Sequence, residues 1–153
     1  MEIMVRGNNA FISKKEQKYV LNFFGNILLG PRLGKNITIE LHNCSHFNRR
    51  NMGYCNPIDW NYNSPRDFEI LLNCQMSKED QIVTLAHEMV HVKQYARNEW
   101  KVFDDDIHKW MGKRMYMPES KYKKMPWEKE ARLSEPWLKH FYEQHCENNN
   151  LTW

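Results

Sequence analysis

The sequence lacks any apolar run long enough to cross a membrane, which takes about 18 to 20 residues. Its first residues, Met1 to Arg6, also lack the charged and then apolar layout of a secretory signal peptide. We find no internal repeat and no low-complexity segment. These absences argue against membrane, secreted and repeat proteins, and we expect a cytoplasmic protein without membrane contact.

The chain also has little excess charge and no closely paired cysteines. Its net charge is only +3, from 22 basic and 19 acidic residues, which does not by itself imply nucleic-acid binding. The four cysteines, Cys44, Cys55, Cys74 and Cys146, form no CxxC pair. Reduced thiols therefore fit best, although an even number also permits two disulfides.

The remaining composition indicates one folded domain. Of the 153 residues, 41% are hydrophobic and 13% aromatic, whereas 27% are charged. This length allows a proper core but leaves no room for a second domain. We expect a single domain over residues 1–153, with its core between about residues 10 and 146, that acts as a monomer.

Periodicity predicts an α+β fold with an N-terminal helix, a small mixed sheet, a central helix and a C-terminal helix. Apolar residues at helical spacing predict helices over 14–29, over 78–98 and from Pro126 onward. Extended patterns predict strands over 36–41 and 67–73, and a hairpin joining 107–111 to 114–117 at Gly112.

Local signals indicate where two of these helices begin and end. Ser13 can cap the first helix, and Gly30-Pro31 stops it. In the last helix, Pro136 should interrupt, kink or restart the helix, and Ser134 could cap its second half.

The most informative segment is His87-Glu88-Met89-Val90-His91, an HExxH pattern. On a helix, His87 and His91 lie four residues apart and therefore stand on the same face. This spacing supplies two ligands of a hydrolytic zinc site. Glu88 lies one step round the helix, where its carboxylate can reach a metal-bound water without being a ligand.

The surroundings of the motif favour a metal site over a surface helix that carries two histidines by coincidence. Ser77 and Asp80 have the spacing of a capping box at the helix start. The apolar stripe of this helix consists of Ile82, Leu85, Ala86, Met89, Val92 and Ala96. Burying histidine side chains beside a glutamate costs free energy unless their polar atoms have partners, and a bound Zn²⁺ would be such a partner.

This segment resembles the zinc metallopeptidases of the zincin type, which need a third protein ligand. The metzincin extension requires a glycine and a histidine where this chain has Gln94 and Arg97, so that subclass is excluded. The acidic residues and the histidine downstream of the motif remain candidates: Glu99, Asp104, Asp105, Asp106, His108, Glu119, Glu128, Glu130 and Glu135.

Pro126-Trp127-Glu128-Lys129-Glu130-Ala131 resembles the ligand helix of the gluzincins, in which a glutamate before a small residue is the third ligand. The resemblance implies that Glu130, which precedes Ala131, binds the metal with His87 and His91. Glu128 is the alternative, because residues two apart on a helix point about 200° apart and only one can face the metal. Glu128 would otherwise face solvent or cap the helix start.

The HExxH helix, Trp110-x-Gly112-Lys113 and the Pro126–Ala131 segment together resemble the SprT-like metallopeptidases. The likeness is to the small stand-alone versions of bacteria and bacteriophages, because the chain shows no Cys-rich zinc ribbon. It implies a zincin-like domain, a Zn²⁺ cofactor, a protein or peptide substrate, and a bacterial or phage-infected cell as the location.

The implied reaction is hydrolysis of a peptide bond, with Glu88 as general base for a zinc-activated water. His108, Tyr116 and Tyr122 are candidate donors to the oxyanion. The predicted strand Phe68 to Asn73, if it lies at the edge of the cleft, could pair with an extended peptide.

Two alternatives for the function stay open. One is a non-catalytic, zinc-containing module that binds peptides. The other is a DNA-stimulated protease that acts on nucleic-acid-bound proteins. A basic surface could form from Arg49, Arg50, Lys113, Arg114, Lys121, Lys123 and Lys124, although an ordinary solvated charge pattern is the favoured interpretation.

Overall fold

Residues 1–45, 52–59, 63–104 and 106–151 are described in a computed structural model of the chain. They form an α+β structure of two sheets and a set of helices. The strands are β1 (Glu2–Arg6), β2 (Thr38–Cys44), β3 (Gly53–Pro57), β4 (Asp67–Asn73), β5 (Trp100–Asp104), β6 (Ile107–Trp110) and β7 (Lys113–Tyr116). The α-helices are α1 (Lys14–Leu28), α2 (Gly30–Gly34), α3 (Lys78–Ala96) and α4 (Pro126–Asn148), and a 3-10 helix covers Glu119–Lys124.

The main sheet has the strand order β1-β2-β4-β3. β1, β2 and β4 run parallel, whereas β3 pairs antiparallel with β4 and forms one edge. In β4, Phe68, Ile70 and Leu72 are buried and alternate with less buried residues, as the pattern of residues 67–73 predicted. The strand predicted over 36–41 is confirmed as β2, shifted toward Cys44. β1 was not predicted. β3 lies between Asn43 and Arg66, where the Asn-rich sequence predicted turns that join short strands without giving the bounds of any strand.

α1 begins where the sequence predicted. The Ser13 side chain accepts a hydrogen bond from the Glu16 backbone N–H, and the Glu16 carboxylate accepts from the Ser13 backbone N–H, which completes a capping box. Lys78, at the start of α3, places its Nζ 3.1 Å from Glu16 Oε1. This contact ties the beginnings of α1 and α3 together.

Glu16→Ala should lower the free energy of unfolding by about 1 kcal/mol at pH 7, because it removes half of the capping box and the contact with Lys78. Hydrogen bonds from Ser13, with Lys78 adding its charge, lower the pKa of Glu16 below the ordinary 4.5. A carboxyl group whose pKa is lower in the folded state stabilises above its unfolded pKa, and this contribution is lost on acidification. Urea unfolding at several pH values should therefore show the variant and the wild type converging below about pH 4.5. A difference that persists or grows in acid would contradict this account.

The second sheet confirms the predicted hairpin. β6 and β7 pair antiparallel, with Trp110 opposite Lys113, and the turn between them contains Met111 and Gly112. Both turn residues have positive φ, 46° and 84°, which Gly112 adopts without strain. β5 joins the other side of β6 to complete the order β5-β6-β7.

α4 begins at Pro126 as predicted but is not divided at Pro136. The helix runs without interruption to Asn148, and the Ser134 hydroxyl donates to the Glu130 carbonyl instead of capping a second helix. Pro136 still removes one N–H from the helix. The second half nevertheless stays helical, and its Leu138, Tyr142 and Cys146 belong to the core.

α3 is the central element of the fold. It packs against α4 and α1 and against β3 and β4 of the main sheet. It ends at Ala96, two residues before the predicted end, because Asn98 has a φ of 56° that breaks the helix. Within the described residues, no helix is long and apolar enough to cross a membrane.

Candidate metal centre

The two histidines of the HExxH pattern lie on one face of α3, as their spacing predicted. Their Nε2 atoms are 3.1 Å apart. His91 is buried, and only 14% of the His87 side chain is exposed. The flanking residues Leu85, Ala86 and Met89 are buried in the core, whereas His87 and His91 line a cleft.

Glu128 of α4 faces both histidines. Its Oε1 lies 3.2 Å from His91 Nε2, and its Oε2 lies 3.5 Å from His87 Nε2. The residue is 2% exposed. His87, His91 and Glu128 form a group that could hold a metal ion, and among the described residues it is the one such cluster found.

The structure therefore corrects the expectation that Glu130 completes the site. The Glu130 carboxylate points away from the histidines, accepting from Lys93 Nζ at 2.6 Å and from Gln94 Nε2 at 2.8 Å. As expected, only one of two residues so spaced on a helix faces the cluster, but that residue is Glu128. Buried Glu128 neither faces solvent nor caps the helix.

Hydrogen bonds to the outer ring nitrogens orient both histidines. His87 Nδ1–H donates to Glu135 Oε1 at 2.7 Å, and His91 Nδ1–H donates to Gln94 Oε1 at 2.8 Å. A metal ligand needs a neutral ring, and a ring that keeps its proton on Nδ1 turns the Nε2 lone pair toward the centre of the cluster. Gln94 in turn donates to the Glu130 carboxylate. Glu130 therefore supports His91 indirectly, through the hydrogen bond from Gln94 and the hydrogen bond between Gln94 and His91.

The supporting roles of Gln94 and Glu135 were not predicted, although the spacing of each residue in the sequence contained a signal. Gln94 follows His91 by three residues, and Glu135 follows Glu128 by seven, so each pair shares a helical face. Glu135 was considered only as a ligand, and Gln94 only as evidence against the metzincins.

Glu135→Gln should weaken metal binding about 10- to 100-fold, because the amide is a poorer acceptor for the His87 Nδ1–H. Titration of the metal-free protein against a competing chelator measures this change. Glu143→Gln is the matched control, since Glu143 lies on the same helix and contacts Lys139. Equal affinities for the two variants would show that Glu135 does not support the site.

Glu88 lies beside the cluster and is buried, with 4% exposure. Burial raises the pKa of its carboxyl, although the nearby His91 and His87 oppose this. The backbone of β3 passes close to it: a Cβ on Gly53 would lie 2.8 Å from Glu88 Oε1 and 2.6 Å from Thr84 Cγ2. A glycine is therefore needed at residue 53 for β3 to approach Glu88.

The charges of the cluster suit a cation. Burial would lower the pKa of His87, but the Glu128 and Glu135 carboxylates outweigh it and raise that pKa to about 10. Burial would raise the pKa of Glu128, yet His87 and His91 hold it well below its usual range. The site thus gathers three carboxylates, with Glu88, around two imidazoles, and a bound cation would offset their charge.

The cluster opens onto a cleft with two connected halves that share Gly53, Glu88, Tyr122 and Glu128. The first half, about 370 Å³, is also lined by Met52, Val83, Thr84, His87, Arg132 and Glu135. The second half, about 280 Å³, is also lined by Tyr54, Cys55, His91 and Trp100.

Of the three candidate oxyanion donors, Tyr122 lines the cleft. Burial and the Glu128 carboxylate raise the pKa of its hydroxyl, so it stays protonated. His108 packs against Trp127, with ring centroids 4.5 Å apart, and Tyr116 lies largely exposed on β7. Neither lines either half of the cleft.

The strand beside the cleft is β3 rather than β4. The expectation for residues 68–73 is wrong, because β4 lies between β2 and β3 and both of its edges are paired. Gly53, Tyr54 and Cys55 of β3 line the cleft instead.

Other residues considered in the sequence lie elsewhere. Glu99 contacts Lys93 at 2.7 Å and is not part of the cluster. Lys113 and Arg114 lie exposed on β7, whereas Arg49, Arg50 and Asp105 fall outside the described residues.

No family model, curated protein or solved structure matches this chain in comparisons with known proteins. The SprT-like assignment therefore remains a prediction from the sequence motifs.

Proposed function

We propose that this protein is a zinc metalloendopeptidase with a zincin-like arrangement of its domain. The observation that carries the proposal is the triangle of His87 Nε2, His91 Nε2 and the Glu128 carboxylate, with sides of 3.1 to 3.5 Å. Glu88 lies beside this triangle, and a cleft leads to it. A protease of this kind needs these three features together.

The triangle fits zinc in size and in chemistry. Ligand atoms about 2.0 to 2.1 Å from a tetrahedral Zn²⁺ lie about 3.3 Å from one another. Two histidines and a glutamate also form a ligand set typical of catalytic zinc, which keeps a fourth position for water. Glu128 Oε2 is buried without a hydrogen-bond partner among the described residues, a cost that a metal ligand would avoid.

His87, His91 and Glu128 would hold the metal, and their neighbours fix their orientation. Glu135 and Gln94 keep Nδ1 of the two rings protonated, which leaves each Nε2 free to coordinate. A bound zinc ion would supply a Lewis acid and lower the pKa of a water ligand toward about 7.

Glu88 and Tyr122 perform the proton transfer and the charge stabilisation. The Glu88 carboxylate takes the proton of the attacking water and passes it to the nitrogen of the leaving amine. The protonated Tyr122 hydroxyl, at the mouth of the cleft, donates a hydrogen bond to the oxyanion of the tetrahedral intermediate. Among the described residues, strand β3 pairs with β4 alone, and its other edge can accept an extended substrate as a further strand.

Removal and return of the metal tests this proposal. Protein stripped with a chelator should bind one zinc ion per chain and should cleave unstructured peptides only after zinc is restored. His91→Ala should bind no zinc and should not cleave, whereas His140→Ala, on the exposed face of α4, should behave as the wild type. Mass spectrometry of a broad peptide mixture identifies the products.

Zinc binding without cleavage of any peptide would overturn the enzyme assignment and favour a peptide-binding module. Cleavage that appears only when DNA is added would favour the DNA-stimulated protease.

A further inference from the structure

The two halves of the cleft differ in chemistry. We call them the Arg132 half, whose walls include Arg132 and Glu135, and the Trp100 half, whose walls include Tyr54 and Trp100. The Trp100 half offers aromatic surface. The Arg132 half contains a guanidinium group whose role the proposed reaction does not explain.

Arg132 is held in the cleft by its neighbours. It follows Glu128 by one helical turn on α4, so both project from the same face. Its guanidinium lies 5.8 Å from the centre of the Tyr122 ring, and its Nη2 is 3.9 Å from Glu128 Oε2. The side chain nevertheless remains 42% exposed.

The carboxylates that line the Arg132 half are engaged with other groups. Glu128 lies between the two histidines, and Glu135 accepts the hydrogen bond of His87. Glu88 is buried beside the cluster. The separation of 3.9 Å from Glu128 is too long for a hydrogen bond. Within the part of the chain that the structure describes, the guanidinium donors of Arg132 are therefore available to a ligand.

We propose that Arg132 binds a carboxylate of the substrate on the C-terminal side of the cleaved bond. The inference rests on the proposed function, since it names the substrate that the cleft prefers. A guanidinium matches a carboxylate through two parallel hydrogen bonds, which gives it geometric as well as charge selectivity.

The direction of β3 assigns the carboxylate to this side of the bond. Met52 lines only the Arg132 half, Gly53 lines both halves, and the following residues Tyr54 and Cys55 line only the Trp100 half. A peptide that adds antiparallel to β3, the more stable pairing, runs from the Trp100 half to the Arg132 half. Residues that follow the cleaved bond therefore enter the Arg132 half.

Such a carboxylate has two sources: an aspartate or glutamate side chain, or the free C-terminus of a short peptide. Four peptides distinguish them. Two of them carry glutamate, and two carry glutamine, in the two positions after the cleaved bond. Within each pair, one peptide has an amidated C-terminus and the other a free C-terminus, two residues further on.

Binding is measured first, with zinc-loaded Glu88→Gln protein, by fluorescence anisotropy of labelled peptides. We expect the carboxylate peptides to bind about 10- to 100-fold more tightly than the neutral, amidated peptide. Arg132→Gln should abolish this preference, and Arg132→Lys should restore part of it. Arg132→Glu should reverse the preference toward peptides with lysine. Lys129→Gln, an exposed cation on the same helix, should leave the preference unchanged.

The ratio of kcat/KM values for the same peptides with Glu88 intact is the second measurement. Equal binding and equal kcat/KM for acidic and neutral peptides, or a preference that survives Arg132→Gln, would overturn the proposal. Cleavage without acidic preference would leave the protease assignment standing and remove only the role of Arg132. Acidic preference in binding without cleavage would support Arg132 and contradict the protease assignment.

Discussion

Glu128→Ala should weaken zinc binding on the order of 100- to 1,000-fold, whereas Glu130→Ala should change it less than about tenfold. The larger effect is expected because Glu128 is the third ligand of the proposed site, and a site with only three protein ligands depends strongly on each of them. Glu130 instead accepts from Lys93 and Gln94 and reaches His91 only through the Gln94 amide. Competition with a chelator of known affinity measures both constants.

The two variants form a matched pair, since both remove a carboxylate from the first turns of α4. Circular dichroism should show that each variant remains folded. A larger loss of affinity for Glu130→Ala than for Glu128→Ala would contradict the site and support the gluzincin-like alignment to Ala131.

Glu88→Gln should retain zinc but lower kcat/KM about 100- to 10,000-fold. The amide has nearly the same shape as the carboxylate and can occupy the same buried place beside Gly53. It cannot accept the proton of the attacking water or return one to the leaving nitrogen. Zinc analysis and peptide cleavage, made on the same preparation, separate loss of chemistry from loss of metal.

Glu79→Gln provides the control for this variant, because Glu79 lies on the same helix but is exposed and contacts Lys139. It should retain both zinc and activity. Normal cleavage by Glu88→Gln would contradict the mechanism, and loss of zinc from that variant would show that Glu88 helps to hold the metal.

The histidine pair and Glu88 could be predicted from the sequence because their arrangement is local. On an α-helix, a spacing of four residues always brings His87 and His91 to one face, whatever the rest of the fold does. The starts of α1 and α3 were similarly accessible, since Ser13 and Ser77 cap them through contacts within three residues.

The third ligand depends on how α4 is rotated against α3, which local spacing does not specify. Sequence position alone did not separate Glu128 from Glu130, and the small residue Ala131 favoured Glu130, whose carboxylate does not face the histidines. Contacts with α3 determine which carboxylate faces the histidines, because Lys93 and Gln94 of α3 form hydrogen bonds with Glu130. The pattern Glu128, Arg132, Glu135 at spacings of four and three was the available sign that Glu128 shares a face with the site.

The strand beside the cleft was missed for a related reason. Residues 67–73 have the stronger strand pattern, and this strength reflects burial between two neighbours rather than a position at the edge. β3 is short and lies in an Asn-rich region that indicated turns joining short strands, with no signal for the bounds of β3. Its role depends on the close approach of Gly53 to Glu88, a contact between residues far apart in the chain.

Anomalous diffraction at the zinc absorption edge, from crystals of the zinc-loaded protein, locates the metal and its ligands in one measurement. We expect one peak per chain, about 2.0 to 2.2 Å from His87 Nε2, His91 Nε2 and a Glu128 oxygen. A peak bound by other residues, by Glu130 in place of Glu128, or no peak at this cluster would contradict the proposed site.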